Sequence, residues 1–138
     1  MLLPNTHVPG TRKAPTRMTA ALYLELRRRA AGLTRYDLAR RLSQARAFPL
    51  DRAAALRLIE QLERPGTSAK HREVIAAIAK IIPLDVATYD QLANDPVGRH
   101  PTVCMRCGCT ADKPCTGTAG VCTLERGTCT RCQSGAAQ

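Results

Sequence analysis

Apolar residues recur at helical spacing through the first two thirds of the chain. Leu22, Leu26 and Ala30 follow one another at intervals of four, and Gly32 then offers a C-terminal cap. The pattern predicts a first helix over residues 19–31.

A second and a third helix are predicted on either side of a longer connection. Thr34 followed by Asp37 has the spacing of a capping box, and the helix that they open ends near Ser43. Pro49 precludes a continuous helix, and Asp51 can cap the next one. The apolar positions of the two helices are Leu38, Ala39 and Leu42, then Ala55, Leu58, Ile59 and Leu62.

Two further helices complete the predicted bundle. Thr67 or Ser68 can cap a fourth helix, which Pro83 stops. Asp85 can cap a fifth. Their inward positions are Val74, Ile75, Ile78 and Ile82, then Val86, Tyr89 and Leu92. Because the connections are short, we expect an all-α domain of five helices over residues 19–93.

The rest of the chain is divided by composition. Residues 1–18 contain Pro, Gly and basic side chains without apolar periodicity, which predicts a flexible basic arm. Residues 94–99 are interpreted as a linker, residues 100–132 as a cysteine-rich metal-stabilised module, and residues 133–138 as a disordered tail.

The charge of the chain favours a polyanionic partner. Lys and Arg outnumber Asp and Glu by 21 to 11, and residues 1–50 hold ten basic and two acidic side chains. A basic surface binds phosphate through counterion release, and the low aromatic content favours double-stranded over single-stranded DNA. No apolar run approaches the length of a membrane span and no signal peptide is evident, so we expect a cytoplasmic protein.

Two segments of the predicted bundle carry a family resemblance. Leu33–Leu42 (LTRYDLARRL) and Ile59–Gly66 (IEQLERPG) resemble the lambda-repressor-type, or Xre-type, helix-turn-helix family. The connection over residues 44–50 is longer than the tight turn of that family. The resemblance implies a lambda-repressor-like bundle whose third helix enters the major groove of DNA.

The resemblance also implies roles for exposed polar side chains. The predicted base contacts are Arg52, Arg57 and Gln61, the predicted phosphate contacts are Arg35, Arg40, Arg41 and Arg46, and the predicted minor-groove contacts are Arg12, Lys13 and Arg17. The simplest interpretation of the run of arginines at 27–29 is a solvated helix surface.

The cysteine spacing predicts a metal site. All seven cysteines lie between Cys104 and Cys132, and an intracellular cluster of this kind is typical of metal ligands rather than disulfides. Two CxxC units, Cys104 to Cys107 and Cys129 to Cys132, are separated by 21 residues. Their four thiolates can reach one tetrahedral zinc ion at about 2.3 Å, which makes them the predicted first site.

The inner cysteines leave several interpretations open. Cys109, Cys115 and Cys122 can bind a second zinc ion, with a bridging thiolate, Asp112 or His100 as the fourth ligand. They can also be spare thiols beside one zinc ion, or ligands of an iron–sulfur cluster. We therefore expect one or two zinc ions, with an iron–sulfur cluster as the alternative and disulfides third.

Residues 103–132 resemble a small cysteine-rich tail of helix-turn-helix proteins from phages and prophages. The resemblance implies a metal-stabilised tail on a regulatory protein.

No catalytic motif is evident, so we expect no enzyme. The expected function is a sequence-specific DNA-binding transcriptional regulator, with a homodimer, the transcription machinery or a phage protein as further partners. The alternatives are a metal-containing protein-interaction adaptor that does not bind DNA, and an iron–sulfur redox sensor.

Overall fold

Five α-helices follow one another in a computed structural model of the chain, as the apolar spacing predicted. They are α1 (Ala20–Ala30), α2 (Arg35–Ser43), α3 (Arg52–Leu62), α4 (Arg72–Ala79) and α5 (Val86–Asn94). The described residues are 17–46, 50–110, 114–117, 120–121, 123–125 and 128–133. Most of the predicted arm, with Arg12 and Lys13, lies outside them, as do Asp112, Cys122 and residues 134–138.

Side-chain oxygens cap four helix starts, and three of these, at α2, α3 and α5, use the predicted residues Thr34 with Asp37, Asp51 and Asp85. Thr19 Oγ1 accepts a hydrogen bond from the backbone N–H of Leu22 at 3.1 Å. Thr34 and Asp37 form a reciprocal capping box, with both hydrogen bonds at 3.0 Å. Asp51 Oδ1 accepts from the Ala54 N–H at 2.7 Å at the start of α3. Side-chain oxygens therefore satisfy N–H groups that have no partner within the helix.

The start of α4 differs from the prediction. The helix begins after His71, which makes no capping hydrogen bond through its side chain. Thr67 is not a cap, because its hydroxyl donates to the carbonyls of Gln61 and Arg64 at 2.6 and 2.8 Å and so closes the end of α3. The helix also ends at Ala79, before Pro83, although Ile82 beyond its end is still buried.

Side chains from all five helices form one apolar core. The most deeply buried of them are Tyr23, Leu24, Leu38, Leu42, Ile59, Ile75, Ile78 and Tyr89. Two tyrosines also make polar contacts with connecting segments. Tyr23 Oη accepts from the Asp85 N–H and Tyr89 Oη accepts from the Ala69 N–H, each at 3.0 Å. The core therefore fixes the connections as well as the helices.

A buried ion pair joins three of the helices. Arg28, on α1, donates to both carboxylate oxygens of Glu63 at 2.6 and 3.0 Å, and to the Leu33 carbonyl at 2.8 Å. Arg35, at the start of α2, donates to the same carboxylate at 2.8 Å. The Glu63 side chain is fully buried and that of Arg28 is 8% exposed. The prediction of a solvated surface is therefore wrong for Arg28.

The C-terminal residues are not helical throughout, so the all-α prediction does not extend to them. A short 3-10 helix (Val97–Arg99) occupies the predicted linker. Strands β1 (Thr116–Gly117) and β2 (Gly120–Val121) pair antiparallel, as do β3 (Leu124–Glu125) and β4 (Thr128–Cys129), and α6 (Thr130–Gln133) follows. Among the helices that the structure describes, none has the length and apolar character needed to cross a membrane.

The cysteine-rich residues pack directly on the bundle. Val103 is 4% exposed and belongs to the apolar core that the helices form, with Met105 packed beside it. The Arg27 side chain donates to the Cys107 carbonyl at 2.8 Å and to the Pro83 carbonyl at 2.7 Å. We therefore describe residues 103–133, hereafter the metal module, as docked on α1.

Candidate metal centre and helical face

Four cysteine sulfurs converge in the metal module. The Sγ atoms of Cys104, Cys107, Cys109 and Cys129 all lie within 4.8 Å of one another. All but Cys107 are buried, and none of the described cysteines forms a disulfide. Such a set can hold a metal ion, and cysteine-only sets suit both zinc and iron–sulfur clusters.

A compact loop brings Cys104 and Cys109 together. The Cys104 N–H donates to the Cys109 carbonyl, and the Gly108 N–H donates to the Cys104 carbonyl, each at 2.9 Å. Val103 and Thr110 form an isolated antiparallel bridge that closes the loop. These bonds turn the chain back on itself within a few residues, so Cys109 returns to the side of Cys104.

The second half of the site comes from β4 and α6. Pairing of Leu124 with Cys129 places that cysteine at the end of a hairpin. Thr123 and Thr130 exchange hydrogen bonds at 2.8 and 3.1 Å, which fixes the start of α6. The Cys132 Sγ then lies 3.7 Å from the Cys104 Sγ. Spacing alone predicted that the two CxxC units would meet, and they do.

The four cysteines whose sulfurs converge are not the four that were predicted for the first site. Cys109, predicted for a second site, is grouped with Cys104, Cys107 and Cys129. Cys115 also approaches this group, with its Sγ 3.2 Å from that of Cys107. The hydrogen bonds that close the 104–109 loop are the physical reason, because they position Cys109 independently of its place in the CxxC pattern.

Burial disfavours the ionised form of four thiols. It raises the pKa of Cys107, Cys109 and Cys132, and it raises the pKa of Cys115 to about 12. At Cys109 and Cys132, contacts to neighbouring thiols raise the pKa further. Neutral thiols are poor metal ligands, so binding requires these groups to release protons. A bound cation would supply the charge that makes this favourable.

Backbone N–H groups favour the ionised form of the other two thiols. Burial opposes ionisation of Cys104, but the N–H groups of Cys129 and Arg106 point at its sulfur at 3.3 and 3.4 Å, and its pKa is lowered. Burial is also offset at Cys129, where the Cys132 N–H and neighbouring thiols lower the pKa to about 6. This arrangement of N–H donors suits a metal-bound thiolate.

The two histidines that the structure describes, His71 and His100, do not join the cluster. His100 Nε2 lies 2.7 Å from the Asp95 carbonyl oxygen, which occupies that ring nitrogen. The structure therefore assigns His100 to the connection between α5 and the metal module. The alternative fourth ligand, the carboxylate of Asp112, is outside the described residues.

Gly108 sits where the metal module touches α1. Its φ of 80° lies in the left-handed region. A Cβ atom at this position would lie 2.8 Å from Arg27 Cδ and 3.3 Å from Leu26 Cβ. Moving Arg27 to make room would break its hydrogen bond to the Cys107 carbonyl. Glycine is therefore required both by the loop conformation and by the docking contact.

We expect Gly108→Ala to lower the melting temperature more than Gly32→Ala does. Gly32 has a φ of 76° but open space around its Cα, so alanine there adds only backbone strain, roughly 1–2 kcal/mol. Gly98→Ala, which adds neither strain nor a clash, is the neutral control. Circular dichroism melts of the three metal-loaded variants give the comparison. Equal losses for Gly108→Ala and Gly32→Ala would contradict the docking contact.

The outer face of α3 carries the side chains predicted to read DNA. Arg52, Arg57 and Gln61 are all exposed. The Arg52 guanidinium lies 6.0 Å from the centroid of the Tyr36 ring and donates to its hydroxyl at 3.1 Å. Tyr36 is 50% exposed and was not among the predicted site residues. The sequence signal for Tyr36 was an aromatic residue between Arg35 and Asp37, at the polar start of a predicted helix.

The predicted phosphate contacts have unequal surroundings. Arg41 and Arg46 are exposed, and Arg40 is half-buried; Arg17, which was predicted as a minor-groove contact, is also exposed. Arg35 is 45% exposed, but its Nε is bound to the Glu63 carboxylate. Arg35 therefore also has a structural role, at the junction of α2 and α3.

Comparison of the chain with models of protein families, with curated proteins and with solved structures gives no match. The functional argument therefore depends on the geometry of the chain itself.

Proposed function

We propose that the protein is a sequence-specific, double-stranded DNA-binding transcriptional regulator that reads the major groove with α3. The observation that carries the proposal is the exposed pair Arg52 and Arg57 on the outer face of that helix. Arginine side chains at the surface of a groove-sized helix can make bidentate contacts to guanine. Gln61, one turn beyond Arg57, can pair with adenine.

The packing of α2 and α3 supports this use. The two helices contact each other over much of their length, with Leu38, Leu42 and Ile59 fully buried. The outer face of α3 is thereby left to solvent. Tyr36 limits the freedom of Arg52, because it both accepts a hydrogen bond from the guanidinium and lies beside it. A side chain held near one orientation loses less entropy when it binds.

Basic side chains around α3 provide the contacts to phosphate. Arg41 and Arg46 are exposed at the end of α2 and in the connection that follows it. Such contacts position the protein on the duplex without reading its sequence. Tyr36 adds a hydroxyl near the start of α3 that can also donate to a phosphate oxygen.

We further propose that the metal is zinc and that its role is structural. Among the described residues of this module, the apolar side chains that support it are its own cysteines together with Val103, Met105 and Leu124. So small an apolar core cannot offset the loss of chain entropy without a metal. An absorbance spectrum of protein purified without oxygen distinguishes colourless zinc from a coloured iron–sulfur cluster.

We expect the double substitution Arg52→Ala/Arg57→Ala to weaken binding to a selected duplex by on the order of 100-fold or more, since each bidentate contact contributes about 1–3 kcal/mol. Lys80→Ala/Arg99→Ala is the matched control, because it removes the same charge from exposed positions on other elements. Fluorescence anisotropy over a series of salt concentrations measures both. Discrimination between the selected and a scrambled duplex should decrease only in the first variant.

Two results would overturn the proposal. One is an affinity for duplex DNA that does not fall steeply with salt, since phosphate contacts release counterions. The other is an equal loss of duplex affinity in both double variants. In that case α3 would contribute only its positive charge and would not read the sequence. The first result would favour a protein-interaction adaptor that does not bind DNA, and the second would leave DNA binding without sequence specificity.

A further inference from the structure

The metal module contains more sulfur than one tetrahedral ion uses. The cysteines that pack together are Cys104, Cys107, Cys109, Cys115, Cys129 and Cys132. One ion takes four of these sulfurs and would leave two thiols packed against thiolates. The distances between the sulfurs decide how many ions the set suits.

Two of the six sulfurs are central. Cys107 Sγ and Cys129 Sγ lie 3.7 Å apart. Four sulfurs at about 2.3 Å from one zinc ion lie about 3.8 Å from one another, so this pair has the length of one tetrahedral edge. Cys104 lies within 4.8 Å of both members of the pair. The Cys104 Sγ is 3.7 Å from the Cys132 Sγ, so this pair also has the length of one tetrahedral edge.

The same central pair serves a second group of sulfurs. Cys115 Sγ lies 3.2 Å from Cys107 Sγ and 4.0 Å from Cys129 Sγ. Cys109 Sγ lies within 4.8 Å of both. Cys115 also packs against the cluster that contains Cys109. Cys107 and Cys129 therefore lie near Cys104 and also near Cys109 and Cys115, while Cys104 and Cys109 are within 4.8 Å of each other as well.

We propose that the module binds two zinc ions that share the thiolates of Cys107 and Cys129 as bridges. This inference rests on the proposed zinc identity and is independent of DNA binding. The terminal ligands are Cys104 and Cys132 for one ion and Cys109 and Cys115 for the other. The two CxxC units thus supply all four ligands of one ion, and two of these ligands also bind the other ion.

Charge does not oppose a second ion. One divalent ion with four thiolates and two divalent ions with six thiolates carry the same net charge, so the second ion adds no charge to the buried site. The remaining negative charge faces two arginines. Arg27 donates to the Cys107 carbonyl at 2.8 Å, and Arg106 donates to the Cys132 carbonyl at 3.0 Å. Both guanidinium groups therefore lie beside residues that bind the metal.

The test is cadmium-113 NMR of the full chain loaded with ¹¹³Cd in place of zinc. We expect two metal ions per chain by native mass spectrometry and two cadmium resonances. In a proton–cadmium correlation spectrum, the β-protons of Cys107 and Cys129 should correlate with both resonances, and those of the terminal ligands with one each. Cys122→Ser is the control and should keep both ions, whereas Cys115→Ser should keep one.

One cadmium ion per chain overturns the inference, as do fewer than two cysteines that correlate with both resonances. A correlation from Cys122 would also overturn it, because a seventh ligand removes the need for a second bridge. Each of these results leaves the zinc identity and the DNA-binding proposal in place. Those depend on the absorbance spectrum and on the salt titration.

Discussion

The substitution Glu63→Gln is expected to destabilise the helix bundle by about 3–5 kcal/mol, because it removes the charge that compensates a buried guanidinium. Arg28 is 8% exposed and donates to both oxygens of Glu63, whose side chain is fully buried. The neutral amide keeps the shape but leaves Arg28 charged and poorly paired. Since the stability of a small domain is about 5–15 kcal/mol, much of it would be lost.

Urea denaturation followed by circular dichroism measures this effect. Glu60→Gln is the matched control, since Glu60 is exposed on α3 three residues before Glu63, and its substitution should change stability little. The double variant Arg28→Met/Glu63→Leu removes both charges and should recover most of the loss. If Glu63→Gln resembles Glu60→Gln, the ion pair does not stabilise the bundle.

Removal of metal is expected to unfold the metal module and to lower the melting temperature of the five helices on the order of 10 °C. Val103 is part of the bundle core, and loss of its burial costs about 1.5–3 kcal/mol. In a domain of this size each kcal/mol corresponds to about 4–8 °C. The helical signal itself should remain at low temperature, because the helices keep their own caps and core.

The measurement is a thermal melt at 222 nm before and after chelation in the presence of a reducing agent, with added zinc as the reversal control. Hydrogen exchange at residues 103–133 reports on the module separately. An unchanged melting temperature of the helices would mean that the docking contacts contribute nothing. Loss of all helical signal on chelation would mean that the bundle cannot fold without the metal module.

The helices were predictable because their ends are decided locally. Thr34 with Asp37 and Asp51 before Ala54 satisfy N–H groups within three residues of themselves, so spacing along the chain is sufficient to find them. Thr67 shows the limit of this reasoning. It has the chemistry of a cap, but its hydroxyl is occupied by carbonyls at the end of α3, a contact that depends on how the turn folds.

Contacts between residues that are distant in the sequence could not be predicted from the sequence. Arg28 in a run of three arginines has the pattern of a solvated face, and its burial depends on Glu63, which is 35 residues away. The predicted separation of residues 19–93 from residues 100–132 also did not anticipate that Val103 packs among the helices. Both contacts form only after α1 has packed against residues that are distant from it in the sequence.

For the cysteines, spacing predicted the convergence but not the grouping. A CxxC unit has only a few residues in which to place two sulfurs, so its geometry is nearly fixed by sequence. The position of Cys109 depends instead on the hydrogen bonds that close its loop, and that of Cys129 depends on the β3–β4 pair. Short strands of two residues carry too little periodicity to be predicted.

The uneven burial of the tyrosines gives the protein a built-in optical probe. The chain has three tyrosines and no tryptophan. Tyr23 and Tyr89 are each 2% exposed, whereas Tyr36 is 50% exposed. A soluble quencher such as acrylamide therefore acts mainly on the emission of Tyr36, beside Arg52. Protection from quenching on addition of duplex DNA would report occupation of the face formed by α2 and α3 in the unmodified protein.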